Sequence, residues 1–164
     1  MPLPASVIIS TYNNPNALAC IVQRLLEGTQ LPSEIVIADD GSTADTRETI
    51  GRLSSQSQIP IHHCWHPDKG FRKAPILNAS VARTAEDYVL FLDGDCLPHR
   101  SWVADHQKLA QRNYFVQGRR AFIRQENVPE ILDGRSNTNA LFWRMKLGGA
   151  FKAIRLPWPL IKRN

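Results

Sequence analysis

Four short apolar runs constrain this chain more than any other feature. They are "ASVIIST" from Ala5, "EIVIADD" from Glu34, "IPIHHCW" from Ile59 and "DYVLFLD" from Asp87. The third, with two adjacent histidines, is the weakest. Runs rich in β-branched residues and lacking polar alternation belong to strands buried on both faces. Between them lie segments of helical spacing. Leu18, Ile21, Val22, Leu25 and Leu26 mark a helix from about Ala17 to Glu27, and "TADTRETIGRLSS" reads as a second, with Thr43 or Asp45 as its N-cap. A third helix is predicted from about Lys73 to Thr84 and a fourth over "HRSWVADHQKLAQR", after which "YFVQGRRAFI" reads as a fifth strand. Strands separated by helices imply an α/β fold of three layers, α/β/α, around a mostly parallel sheet. Residues 1–125 are expected to form this domain, and 126–164 a basic segment containing aromatic residues.

Composition narrows the class. A chain of 164 residues is long enough for one sizeable core, and its 43% hydrophobic and 21% charged residues are those of a soluble globular protein. No window approaches the roughly 18 uninterrupted apolar residues of a membrane span. The start, "MPLPASVIIS", lacks the basic and long apolar regions of a signal peptide and looks like a first strand. Cys20, Cys64 and Cys96 are odd in number and widely spaced, which suits reduced thiols and a cytoplasmic location. The net charge of +5 is uneven: after Asp133 there is no acidic residue, while seven Lys and Arg lie between Arg135 and Arg163. Such a tail suits peripheral contact with anionic lipid on the inner face of a membrane, or with another polyanion. Its plain alternative is a piece of domain whose acidic partners lie elsewhere.

In open parallel sheets, ligands bind beyond the carboxyl ends of the strands. The polar signatures sit there: "STYN" after the first strand, "DDGS" after the second and "DGD" after the fourth. Asp93 and Asp95, two residues apart in extended chain, project to one side, where like charges repel and resist desolvation. A divalent cation relieves that repulsion, and all-oxygen ligands favour Mg²⁺ or Mn²⁺. Gly94 leaves room for backbone or ligand to come close. Asp-Gly also signals a hairpin, but "CLPHRSW" offers no second alternating strand. Asp39 and Asp40 can accept hydrogen bonds from a nucleobase or ribose, or cap the next helix; one of the pair can do each. Lys69, Arg72 and Lys73 precede a helix start and suit a diphosphate, or form a solvated basic loop. The histidines of "HHCWH" lack the paired spacing of a structural zinc site.

Taken in order, "SVIISTYN", "EIVIADDGS", "GFRKAPILNAS" and "YVLFLDGDCLPHRSWV" resemble the family 2 glycosyltransferases of the GT-A fold, over about Ala5 to Arg120. The likeness is strongest to bacterial members that build lipopolysaccharide core or other surface polysaccharide. It implies a Rossmann-like nucleotide-diphospho-sugar transferase fold. It further implies inverting, metal-dependent transfer of a sugar from a nucleotide sugar, often UDP-linked, to a hydroxyl of a glycan or glycolipid, with no nucleic-acid partner. By position, Thr11 and Tyr12 would line the nucleotide pocket, and Asp39 or Asp40 would contact the base or ribose. Arg72 and Lys73 would lie near the base and diphosphate, and Asp93 and Asp95 would be the DxD pair that reaches Mn²⁺ or Mg²⁺. One departure stands out. Inversion needs a general base, which the family carries in an acidic stretch well after DxD. Glu126, Glu130 and Asp133 are the late acids here, and their setting does not fit. The expectation is therefore a donor-binding half with its base unassigned and the rest truncated, or else a non-catalytic nucleotide-binding fragment.

Overall fold

The first strand, β1 (Ser6–Thr11), is buried at all six positions and hydrogen-bonded on both sides. Val7, Ile8 and Ile9 are fully inaccessible. Burying each contributes roughly 2 kcal/mol, which holds the strand central and carries the polar Ser10 and Thr11 into near-burial behind it. The computed structural model describes residues 3–118, 120, 122–123 and 125–132. Strand β2 (Glu34–Asp39) lies parallel on one side of β1 and β4 (Val89–Asp93) on the other, and β3 (Ile61–Trp65) extends the sheet beyond β2, in the order β3-β2-β1-β4. The register sets Thr11 beside Asp39 and Ser10 beside Asp93, so the carboxyl ends are level.

Alternate residues of the strands feed two cores. Val7, Ile9, Ile35, Ile37 and Leu90 meet helices α1 (Pro15–Leu26), α2 (Ala44–Gln56) and α4 (Trp102–Leu109) through Leu18, Ile21, Ile50, Leu53 and Val103. On the opposite face Ile8, Val36, Ala38 and Cys64 meet α3 (Lys73–Val81) through Ile76. The three-layer expectation is met. Helix α1 starts where Asn14 accepts a hydrogen bond from Ala17 N at 3.3 Å and Pro15 supplies a preset first turn. Thr43 is the N-cap residue of α2, without a side-chain capping bond.

The chain divides after Ala110 into units Met1–Ala110 and Gln111–Asn164. In the second unit the described residues include a 3₁₀ turn, Gln125–Asn127, and a short helix, α5 (Val128–Leu132). The fifth strand expected over "YFVQGRRAFI" is not found: its described residues, 114–118, 120, 122 and 123, are in no strand. Aromatic content favours a strand only where a neighbour pairs with it, and Phe115 and Phe122 are both almost fully exposed. Asp133 and the basic tail lie outside the described residues. Among the described residues no helix is long and apolar enough to cross a membrane. No disulfide joins any two of Cys20, Cys64 and Cys96.

Two buried carboxylates tie the sheet at its opposite rims. At the amino rim, Glu34 Oε1 accepts hydrogen bonds from the Ser6 hydroxyl and from Ala85 N, both at 2.6 Å, and the Ser6 oxygen accepts from Glu86 N at 3.3 Å. This joins β1, β2 and the approach to β4. At the carboxyl rim, Asp39 is wholly inaccessible; its Oδ1 accepts from Ser42 N and its Oδ2 meets His63 Nε2 of β3, each at 2.8 Å. Burial pushes the Asp39 carboxyl up, but the bonds from His63 and Ser42 outweigh it and hold the group below the ordinary carboxylate range.

Glu34→Ala removes an acceptor and strands two donors, so urea unfolding should show a loss of about 3 kcal/mol; an unchanged midpoint would mean that the cluster is idle. Asp39 has a folded-state pKa below its unfolded value, so its contribution is present above about pH 4 and disappears as pH falls through the folded value. Wild type should therefore exceed Asp39→Asn in stability at pH 7, and the gap should close under acid. A gap that persists unchanged at pH 2 would contradict this reading.

Candidate functional site

From β1 the chain runs outward through β2 to β3 by way of α1 and α2. It then crosses by α3, on the other face, to set β4 against the free side of β1. The strand order therefore reverses between β1 and β4, and such a switch point leaves a crevice at the carboxyl ends that no crossover fills. A cavity of about 410 Å³ opens there. Thr11 and Tyr12 line it from the end of β1, Asp40 from the end of β2, Lys73 from the first turn of α3, and Asp93 and Asp95 from the end of β4.

The two acids at the end of β4 do not face each other uncompensated. Lys73 Nζ lies 2.5 Å from Asp93 Oδ1, so an ammonium from α3 supplies a positive charge beside them. Asp95 is exposed, and its Oδ1 accepts from the Cys96 thiol at 3.3 Å. One ligand atom each from Asp93, Asp95 and Cys96 lie within 4.8 Å of one another, a spacing that fits a single divalent ion with carboxylate donors. The segment does turn, with Cys96 N donating to Asp93 O at 3.0 Å, but it leads to α4 and not to a hairpin. Gly94 is needed for β1: a Cβ there would run into the carbonyl oxygen of Ser10, so the close approach is by backbone. Thr11 is nearly buried and lines the cavity, yet its hydroxyl has no hydrogen-bond partner among the described residues. A buried hydroxyl left without a partner costs roughly 1–3 kcal/mol.

The two acids of "DDGS" have parted. Asp39 turns into the protein and does not line the cavity. Asp40 lines it while its Oδ1 meets His66 Nε2 at 2.7 Å and its Oδ2 accepts from Arg72 N at 2.9 Å. Arg72 and Lys69 are not among the lining residues, and Arg72 serves through its backbone as the residue before α3. Sequence reasoning missed His63 and His66, which partner the two acids. Their signal was "HHCWH", whose histidines matched no zinc spacing and proved to be carboxylate partners. Asp68 and Phe71, on the loop between β3 and α3, were also missed, and Phe71 lines the cavity while remaining 90% exposed.

The model of the family described as Glycosyl transferase family 2 matches residues 6–159. Among curated proteins, the chain is 26% identical over 129 residues to a hyaluronan synthase of Pasteurella multocida, covering 75% of this chain and 13% of that protein. It is 36% identical over 97 residues to an uncharacterised glycosyltransferase of Nostoc, covering 58% of this chain and 30% of that one. The chain thus spans less than a third of the length of either. Among solved structures it superposes on a Pyrobaculum calidifontis mannosyltransferase in complex with GDP-Man and Mn²⁺ with a TM-score of 0.58 at 24% identity, covering 68% of this chain and 34% of that one. With S. aureus TarS in complex with UDP-GlcNAc the TM-score is 0.54 at 22% identity, covering 65% and 30%. These likenesses are of fold, and the shared architecture is that of GT-A glycosyltransferases. With a family model that matches residues 6–159, and so all four strands and the crevice at their carboxyl ends, this chain belongs to glycosyl transferase family 2.

Proposed function

We propose that the crevice binds the nucleoside diphosphate of a sugar donor, UDP-linked, for metal-dependent, inverting transfer to a hydroxyl of a glycan or glycolipid. The observation that carries this is the meeting of Thr11, Lys73, Asp93 and Asp95 around one cavity, with two acids beside a cation. Lys73 puts a positive charge on the wall for phosphate oxygens to accept from. Asp40 keeps second lone pairs on oxygens already fixed by His66 and Arg72, and these suit an N–H or hydroxyl of the nucleoside. Thr11 completes the same wall. A Mn²⁺ or Mg²⁺ held by Asp93 and Asp95 would offset the charge that gathers on the departing diphosphate. The neighbours' ligands, GDP-Man and UDP-GlcNAc, are consistent with this donor class. We place the protein on the cytoplasmic side, where reduced cysteines and nucleotide sugars coexist.

A second reading, a nucleotide-binding chain without turnover, is favoured by one sequence fact: residues beyond Asp133 contain no carboxylate to take the proton of an acceptor hydroxyl.

Calorimetry with UDP and Mn²⁺ should give binding that weakens at least about tenfold with chelator or in Asp95→Ala, a difference of roughly 1.4 kcal/mol. Equal affinity in chelator would remove the metal from the proposal. Residues 1–164 should bind UDP yet transfer sugar weakly to an added glycan acceptor, as read by product mass. Robust transfer would eliminate the second reading and send the search for a base back to Glu126 and Glu130.

A further inference from the structure

The loop between β3 and α3 is pinned to the "DDGS" turn at several points. His66 and Arg72 N both meet the carboxylate of Asp40, at 2.7 and 2.9 Å. Between them, Asp68 packs against Gly41, where the backbone has φ +95° and a Cβ would lie 2.6 Å from Asp68 Cα. Only glycine fits both demands. Asp40 and Gly41 therefore hold the loop against the end of β2.

That carboxylate reaches elsewhere. Its Oδ1 accepts from Gly70 N at 2.9 Å, a local turn, while its Oδ2 accepts from the hydroxyl of Tyr12 at 2.9 Å, on the far lip of the cavity. The backbone after Tyr12 is held by Asn13: its N–H donates to Ser42 Oγ and its side chain accepts from Thr43 N, both at 2.9 Å. The Tyr12 side chain is 52% exposed, so packing alone does little to orient the ring. Its hydroxyl is oriented chiefly by the bond to Asp68, with Asn13 bonding to the same phenol.

We propose that Asp68 is a positioning residue of this cavity, clasping Tyr12 across the mouth and setting the distance between the β1 end and the loop that carries Gly70 and Phe71. A ligand entering from solvent passes between these two lips, so the clasp presets the opening that a nucleotide must fill. Preset geometry raises affinity by removing the ordering cost from the binding step. The proposal rests on the nucleotide reading above for its ligand, but the clasp itself is testable without one. Hydrogen bonding to Asp68, then its charge, with smaller additions from burial and Asp40 against an opposing bond from Asn13, keeps the Tyr12 phenol above its ordinary value.

The test is a double-mutant cycle, Tyr12→Phe with Asp68→Ala, in the full chain. Calorimetry with UDP and Mn²⁺ should show each single change weakening affinity roughly fivefold, the scale of one lost hydrogen bond, and the double no weaker than Asp68→Ala alone. Effects that multiply, or a Tyr12→Phe protein indistinguishable from wild type, would overturn the clasp. Tyr12→Phe leaves the Gly70 turn intact, so a purely local role for Asp68 predicts no loss there. Phenolate absorbance provides the ligand-free arm. Asp68→Asn should lower the deprotonation pH of one tyrosine, and the change should vanish in a Tyr12→Phe background; no shift overturns the clasp. If wild type fails to bind UDP, the nucleotide reading falls, and the titration still decides whether Asp68 holds Tyr12.

Discussion

The double burial and double pairing of β1 organise the molecule. Because neighbours flank it on both sides, one crossover face carries α1 and α2, and the other must carry α3 back to β4. The reversal opens a crevice at the end of that strand, where Thr11 and Tyr12 emerge. Apolar burial along Val7–Ile9 thus determines where polar chemistry can occur. The amino rim is closed by Glu34 and Ser6, which leaves the carboxyl rim as the end that opens to the cavity.

Charge at that rim is balanced by parts distant in sequence. Asp93 meets Lys73 from the start of α3, Asp39 meets His63, and Asp40 meets His66. A carboxylate near a sheet edge pays desolvation unless hydrogen bonds or a cation offset it, and each of these acids has found one. The pairings leave Asp95 as the most exposed acid of the group. Lys73 occupies the position of a counter-charge for Asp93, beside donor atoms that also suit a divalent ion. The same short stretch thereby balances charge and offers donor atoms that an ion could use.

Much of the fold was legible because the hydrophobic pattern is local. Runs such as "SVIIST" and "EIVIAD" have no polar side to expose, and the spacing from Leu18 to Leu25 admits one helical face. The strand expected at "YFVQGRRAFI" shows the limit, since pairing is a property of a neighbour and not of the run itself. Asp39 shows another. Next to Asp40 in sequence, it has the same chemistry, yet the pleat turns one carboxylate inward to Ser42 and His63 and the other toward the cavity.

From residue order alone come the strand–helix alternation, the parallel sheet, and the clustering of polar signatures at strand ends, because periodicity and turn chemistry act over a few residues. The motifs also carry the family, since four of them fall in sequence at fixed intervals. Folding in three dimensions had to assign partners: Lys73 to Asp93, His66 to Asp40, Asp68 to Tyr12, and Gly94 to the backbone of β1. Those pairs lie far apart along the chain. Hydrogen bonds and ion pairs form only at contact distance, so nothing in the local pattern could choose among them until the crossovers brought the strand ends together.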